Sequence, residues 1–544
     1  MINFVKKIKF EILFVFFFVL LHVWNLGHDN FNTDVWKWKQ RSYDFGTGVY
    51  GLNFAKTFQK YHPGVTLMWV GSTGVKVSNL FTQDIFAKYF NSDLSKLFLL
   101  DTIQKILLVF SIGVVLSFGF YVVHNIFGLR VAILSFVLLS LEPFYLGLTR
   151  VFHLEGIMSA FMVTSVLWLY YFFQETTQIK RLLISGIFGG LAVLTKTSAL
   201  LIVPFVGFSL IYLSGLIDVR QKININEFIR PTKFGFMWLG VALITFVLVW
   251  PAMWVAPVKS IEGLYKGIAD VGIESEHSQI YFGTLVEDPG TLFYLVVIGL
   301  RSTVWLFLGF ICALIFISLK KLDPKRSSFI IYLASFSLVY LVEITLPSKK
   351  LDRYIIPSIL TMSLASSIFI DWLVVKFDKY KYLFMSLLFG FALYTNLLVH
   401  PDYFTYYSPL FGGYAKGIYI LEPKWLIGER EILEYFTKIK SERGLVDSPQ
   451  ESFEELIHTP SGIEKMLTVG FPEKYYTQIW PFFREINGWA VIEHLRPFAK
   501  KTRFFVYPVW ANDGPYETRF KTKELGKIYI HGVHTYTVYE RTDF

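Results

Sequence analysis

Long apolar runs, separated by short basic turns or by aromatic-rich stretches, set the pattern of this chain. The runs predict helices over 8–26, 101–124, 130–148, 153–173, 181–195, 197–215, 234–255, 292–319, 328–346, 354–375 and 380–400. Most are close to the roughly 20 residues that cross a bilayer core, so about eleven transmembrane helices are expected. Hydrophilic stretches interrupt them at 27–100 and 256–291, and a less apolar segment runs from 401 to 544. In that last segment "PKWLIGEREILEYFTKIKSE" has helical periodicity with an acidic start, while "RFFVYPVW" and "KIYIHGVHTYTVYERT" read as strands. The expected fold class is therefore an α-helical polytopic membrane protein, with a transmembrane domain over 1–400 and a small α/β domain over 401–544. The opening "MINFVKKIKFEILFVFFFVLLHVW" is basic and then apolar, but no small-residue cleavage site follows; it reads as a retained first helix.

Composition agrees with the pattern. The 544 residues are 53% hydrophobic and only 17% charged, where a soluble domain carries about 25%; the mean hydropathy is +0.46. A net charge of +10 then reads as basic cytoplasmic loops beside anionic lipid rather than as a nucleic-acid surface. The single cysteine, Cys312, falls in an apolar run; it excludes an internal disulfide and a cysteine metal site.

Eleven spans place the termini on opposite sides. With the N-terminus cytoplasmic, every inner segment is basic, from Lys6, Lys7 and Lys9 to Lys376, Lys379 and Lys381. The C-terminal domain is then extracytoplasmic. The cluster Lys349, Lys350 and Arg353 in "PSKKLDRYIIP" falls on the outer face, against the positive-inside trend. That mismatch favours a functional reading of the cluster.

Other ionisable residues gather on the same face. The first loop offers Asp29, Asp34 and Asp44, then His62; Asp34 stands just beyond the first helix, before an aromatic segment able to cover it. The loop's aromatics suggest short interfacial helices. Arg150, His153 and Glu155 crowd a helix start, where the dipole favours Glu155 as a carboxylate and Arg150 is its natural partner. Glu142 precedes Pro143 inside a span, Lys196 lies at an outer helix edge, and Arg301 is buried in an apolar run and needs a partner, a ligand phosphate among the candidates. Glu274, Glu276 and His277 offer ligands for a divalent cation, although a solvated loop explains them as well. Outward carboxylates beside several cations suit transfer from an anionic lipid-linked substrate: cations hold a leaving phosphate while one carboxylate takes a proton.

Four motifs carry a family resemblance: an acid just after the first helix (Asp34), "TRVFHLEGIMSAF", "GGLAVLTKTSALLIVPF", and "EDPGTLFYLVVIGLRST" followed by "KKLDRYIIP". In this order the chain resembles GT-C-fold glycosyltransferases of the protein O-mannosyltransferase and aminoarabinose-transferase kind, over roughly residues 1–410. The resemblance implies a polyprenyl-phosphate-sugar donor used at the extracytoplasmic face and a protein, lipid or glycan acceptor. It implies Asp34 as the base and Glu155 as a second acidic site acting through a metal or the acceptor. Arg150, Lys196, Arg301, Lys350, Arg353, Tyr354 and His62 would surround the lipid phosphate and sugar; Glu155 and His277 are the metal candidates, and no cofactor beyond a divalent cation is expected. Where family first loops often carry an acidic pair, Asp34 is followed by Val35, and Glu155 stands where Asp is common. A flippase for lipid-linked sugars and a polysaccharide polymerase or ligase are the competing readings.

Overall fold

The computed structural model describes residues 8–27, 31–60, 62–82, 94–213, 225–272, 278–423, 425–447, 465–493, 502–511 and 520–543. The helices of the first half are α1 Lys9–Val23, α2 Val35–Tyr50, α3 Val65–Ser78, α4 Leu94–Phe127, α5 Leu129–Ser140, α6 Pro143–Arg150, α7 Leu154–Gln174, α8 Ile179–Thr195, α9 Ile202–Leu213 and α10 Ile225–Val249. Then come α11 Pro257–Gly272, the hairpin β1 Gln279–Tyr281 and β2 Thr284–Val286, α12 Phe293–Arg301, α13 Val304–Ser318, α14 Pro324–Thr345, α15 Ile356–Lys376 and α16 Lys381–Val399. The chain is a helical, multi-pass membrane protein with a small C-terminal sheet domain, as the sequence pattern predicts.

The spans are less regular than expected. Six described helices are long and apolar enough to cross a membrane, or seven if one bent pair is a single span. The continuous helix predicted over 130–148 is that pair, α5 and α6, bent by 69°. Pro143 starts α6 after an extended Glu142, the usual way for proline to open a helix without losing a ladder bond. The helix predicted over 292–319 likewise breaks between α12 and α13, at Ser302 and Thr303. The two breaks stitch each other: Glu142 accepts bonds from the Thr303 amide at 3.3 Å and its hydroxyl at 2.6 Å. Glu142, a functional candidate from its place inside a span, thus satisfies backbone freed by another helix.

Burial sorts the helices into a centre and a rim. Within their most apolar windows, α7 is 89% buried and the span containing α15 83%, against 17% for α10 and α16. A helix apolar all round belongs in the interior, and the site rests on α7 and α15. Close approach depends on small residues. A Cβ on Gly189 of α8 would run into the Trp238 indole of α10, and one on Gly190 would lie 2.5 Å from the Ala242 carbonyl. Serines add hydrogen bonds across helices: Ser165 donates to the Ser185 carbonyl at 2.7 Å, Ser185 returns a bond at 2.8 Å, and Trp238 donates to Ser185 at 2.9 Å.

The bundle has two chemically distinct ends. At one, buried Asp371 near the end of α15 accepts from Arg130 at 2.7 Å and Arg326 at 2.8 Å. Arg353, just ahead of α15, lies about 27 Å away at 1.5 Å per residue, beside the start of α7. The basic cluster of residues 349–353 is therefore at the opposite end from Arg130 and Arg326.

After α16 come α17 Gly413–Ile420, α18 Glu429–Glu442, β3 Thr468–Phe471, α19 Glu473–Glu485, β4 Trp489–Ile492, β5 Phe504–Pro508, β6 Thr522–Ile530 and β7 Val533–Arg541. The strands form one mixed sheet, ordered β4-β3-β5-β7-β6, with β3 parallel to β4 and β5, and β7 antiparallel to its neighbours. His531 and Gly532 turn the β6–β7 hairpin with φ of 47° and 78°, the twist that suits a two-residue connection. Buried Ile432, Phe436 and Ile439 give α18 its inward stripe. The domain docks on the first loop through aromatics: Trp36 stacks on Trp480 at 5.2 Å and donates to the Thr477 carbonyl at 2.6 Å, and Phe31 packs edge-on to Phe482.

Replacing Gly189 by Leu forces α8 away from Trp238. A loss of about 1–3 kcal/mol, the usual range for overpacking, is expected as a lower melting temperature in detergent.

Candidate active site

Asp34 immediately precedes the first turn of α2. Asn32 fixes that turn: its oxygen accepts from the Asp34 amide at 2.9 Å, and its amide donates to the Phe152 carbonyl at 3.3 Å. The same residue thus joins the first loop to the turn that carries His153. A second tie comes from the start of α3. The Gly64 amide donates to the Thr195 carbonyl at 3.1 Å, and the Thr66 and Thr195 hydroxyls meet at 2.6 Å. This brings His62 beside Lys196, at the end of α8.

Glu155, in the first turn of α7, is the hub. It is fully buried. One oxygen accepts from Lys196 Nζ at 2.9 Å and from Arg353 Nε at 3.2 Å; the other contacts His153 Nδ1. The opposite ring nitrogen of His153 lies 3.8 Å from Asp34. Two acids, an imidazole and two cations from four separate stretches of chain therefore form one cluster. Aromatic faces close it. Lys196 stands 4.2 Å over the Tyr354 ring, and Arg353 stands 5.4 Å over Trp425, whose edge meets His153 at 5.4 Å.

Solvent reaches the members unequally. The side chain of Asp34 is 33% exposed and that of Arg353 14%, against 1% for Glu155. Burial pushes the Asp34 carboxyl upward, but the His153 hydrogen bond and charge, with Arg353 and Lys37, outweigh it and hold it well below the carboxylate range. His153 is shifted the other way: burial disfavours its charge, yet Glu155 and Asp34 raise it. His62 is pushed down to about 4 by burial and then by the Lys196 charge, so it is a neutral imidazole at physiological pH. Asp34 is accordingly an ionised, reachable carboxylate, and Glu155 an enclosed counter-ion.

Several residues expected around a phosphate are occupied elsewhere. Arg150 donates to the carbonyls of His22 at 3.0 Å, Trp24 at 2.7 Å and Asn25 at 3.2 Å; it caps α1 instead of pairing with Glu155. The end of α1 leaves carbonyls without helical partners, and a guanidinium fork meets that need. Arg301 donates to Phe404 and Tyr406 carbonyls at 2.9 and 2.8 Å and to Asp352 at 3.2 Å. Its partner is internal, and its place is behind the site. Lys350 pairs with Asp288 at 2.7 Å, while Arg353 turns to Glu155, so the two do not share one face. Lys349 contributes charge at His62. Of the two metal candidates, Glu155 has its oxygens on Lys196, Arg353 and His153; His277, like Glu274 and Glu276, lies outside the described residues. Among those described, no group of His, Cys, Asp and Glu is arranged to hold a metal ion.

Two features escape the sequence reading. One is Trp425, contributed from beyond the spans. The other is a buried triad under the first loop, in which Asp101 pairs with Lys39 at 2.8 Å and Lys105 at 2.7 Å. The Asp101–Lys105 spacing inside the apolar stretch "LLDTIQKILL" is a signal for it.

The family model for dolichyl-phosphate-mannose-protein mannosyltransferase matches residues 83–254. That third of the chain takes in Arg150, His153, Glu155 and Lys196, and the match bears out the GT-C resemblance of the motifs. No curated protein matches in sequence. Similar solved structures include ArnT from Cupriavidus metallidurans bound to undecaprenyl phosphate, 11% identical with a TM-score of 0.46 and 98% of each chain covered. Another is the Archaeoglobus fulgidus oligosaccharyltransferase AglB in complex with an inhibitory peptide and a dolichol-phosphate. It is 13% identical with a TM-score of 0.41, over 93% of this chain and 70% of that one.

Removing the hub and removing the exposed acid have different structural costs. Glu155→Gln leaves Lys196 and Arg353 buried without their carboxylate and is expected to destabilise by about 3–5 kcal/mol. Asp34→Asn acts at a carboxylate that is 33% exposed and should cost less than Glu155→Gln. Thermal unfolding of the two purified variants in one detergent measures the difference.

Proposed function

We propose that this chain is a GT-C-type membrane glycosyltransferase that moves a sugar from a polyprenyl phosphate to an acceptor nucleophile at the extracytoplasmic face. The carrying observation is that Asp34, the acid of the cluster most open to solvent, sits against His153 and Arg353 at one end of the bundle, where Glu155 holds Arg353 and Lys196 together. In this reading the Asp34 carboxylate takes the proton from the acceptor hydroxyl as its oxygen attacks C1 of the sugar. The bond from C1 to the phosphate oxygen breaks, and the polyprenyl phosphate leaves with one more negative charge. In this reading Arg353 and Lys196 meet that charge. A single displacement of this kind inverts the anomeric carbon and needs one base.

Glu155 serves here as the residue that holds both cations and His153, and the reaction is proposed to run without a divalent metal. The family model's own description names a dolichyl-phosphate-mannose donor and a protein acceptor, which makes that pair the first to test, ahead of lipid or glycan acceptors. A flippase would carry its ionisable groups near the membrane midplane; this cluster lies at helix ends, which favours transfer.

The test supplies purified protein with labelled polyprenyl-phosphate sugars and an acceptor mixture, and identifies the labelled product. A new glycosidic product is expected; movement of the donor across a bilayer without one would sink the assignment. Asp34→Asn should lower transfer by about 10²–10⁴-fold, the share of a general base, with undecaprenyl phosphate affinity within about threefold. Full transfer by that variant would remove Asp34 as the base. Treatment with EDTA is expected to leave the rate unchanged, whereas a loss restored by Mg²⁺ or Mn²⁺ would overturn the metal-free reading.

A further inference from the structure

Trp425 comes from the C-terminal side of the last span, yet it is 3% exposed and touches the centre of the cluster. Its ring carries the Arg353 guanidinium at 5.4 Å, meets His153 edge-on at 5.4 Å, and is backed edge-on by Phe404 at 4.9 Å. The chain that follows it is pinned by three hydrogen bonds. The Leu426 amide donates to Gln478 of α19 at 2.9 Å, the Ile427 carbonyl accepts from Tyr536 of β7 at 2.9 Å, and the Gly428 amide donates to Asp402 at 2.9 Å. Gly428 itself has φ of 71°, and a Cβ there would strike Ile530. The sheet domain thus sets where this indole stands.

Arg353 is held from a second direction by the same scaffold. Its amide donates to Asp352 at 2.8 Å, and Asp352 accepts from Arg301 at 3.2 Å. Arg301 also binds the Phe404 carbonyl, behind Trp425. The backbone of Arg353 and the face beneath its head group therefore lead back to one buried guanidinium. An arginine that must meet a phosphate has several rotatable bonds to fix, and an aromatic face fixes the plane of the guanidinium while leaving its donors at the edge.

We propose that Trp425 is a positioning residue for Arg353, so that the C-terminal domain is a working part of the donor-phosphate site. This rests on Arg353 meeting a lipid phosphate, as in the proposed function. The test compares Trp425→Leu, which removes the ring, with Trp425→Phe, which keeps one. Affinity for undecaprenyl phosphate is measured alone, and donor KM and kcat are measured in transfer. Trp425→Leu should weaken undecaprenyl phosphate about tenfold and raise donor KM to match, with kcat within threefold; Trp425→Phe should restore both to within threefold of the parent. Combined with Arg353→Met, the Leu substitution should add no further loss of affinity, because its effect passes through the guanidinium. Unchanged affinity in Trp425→Leu, or losses that simply add in the double variant, would overturn the proposal. If the Leu protein does not fold, Trp425→Met carries the same comparison. Parent protein that binds undecaprenyl phosphate but transfers nothing would refute the proposed function, and the binding arm would still decide Trp425.

Discussion

One buried carboxylate organises the functional end of this molecule. Glu155 lies in the first turn of α7, where helix amides favour its negative charge, but that alone does not offset the loss of water. Lys196, Arg353 and His153 supply the remainder. Each arrives from a different stretch: the end of α8, the turn before α15, and the turn before α7. Neutralising one charge therefore requires several elements to meet, and that requirement fixes the geometry in which Asp34 and Arg353 face solvent. Buried ion clusters of this kind are weak contributors to net stability and strong determinants of arrangement, since any misplacement leaves a charge unpaired.

The same logic recurs where the spans are broken. Glu142 bridges the breaks after α5 and after α12, Arg150 closes the end of α1, and Arg301 gathers the Phe404–Tyr406 carbonyls under Asp352. Non-helical backbone at membrane depth needs internal partners, and long ionisable side chains provide them. Irregular chain at the functional end is thus made affordable by the very residues that look, one at a time, like ligand contacts.

This explains what the sequence makes legible and what it hides. Apolar period and length reveal most helices, whereas "KIYIHGVHTYTVYERT", which reads as strand throughout, conceals the turn at His531 and Gly532 between β6 and β7. Asp34, Glu155, Lys196 and Arg353 stand out as ionisable residues at helix ends, and they do meet. Arg150, Arg301 and Lys350 stand out by the same criterion and do not join them, because an isolated guanidinium in an apolar stretch is equally consistent with carbonyl capping and with ligand binding. The choice depends on partners such as Phe404, 103 positions from Arg301. Trp425 is hidden for a different reason: nothing local to "PKWLIG" distinguishes a site aromatic from a core one. Continuous apolar runs also conceal the breaks at Glu142 and Ser302, which cost two of the predicted spans their length, while α1, α8 and α9 are short at 15, 17 and 12 residues.

The charge balance bears on how the proposed transfer would divide its work. Against the upward push of burial, the His153 and Arg353 charges hold Asp34 well below the usual carboxylate range, which lowers its strength as a base. In the proposed displacement the bond to the phosphate opens with oxocarbenium character at the sugar. The demand then falls on the departing phosphate, and two cations fixed by Glu155 before any substrate arrives meet it without reorganisation. Raising the basicity of Asp34 by removing neighbouring positive charge would weaken those same cations. In the proposed transfer the cluster would therefore favour the leaving group over the nucleophile.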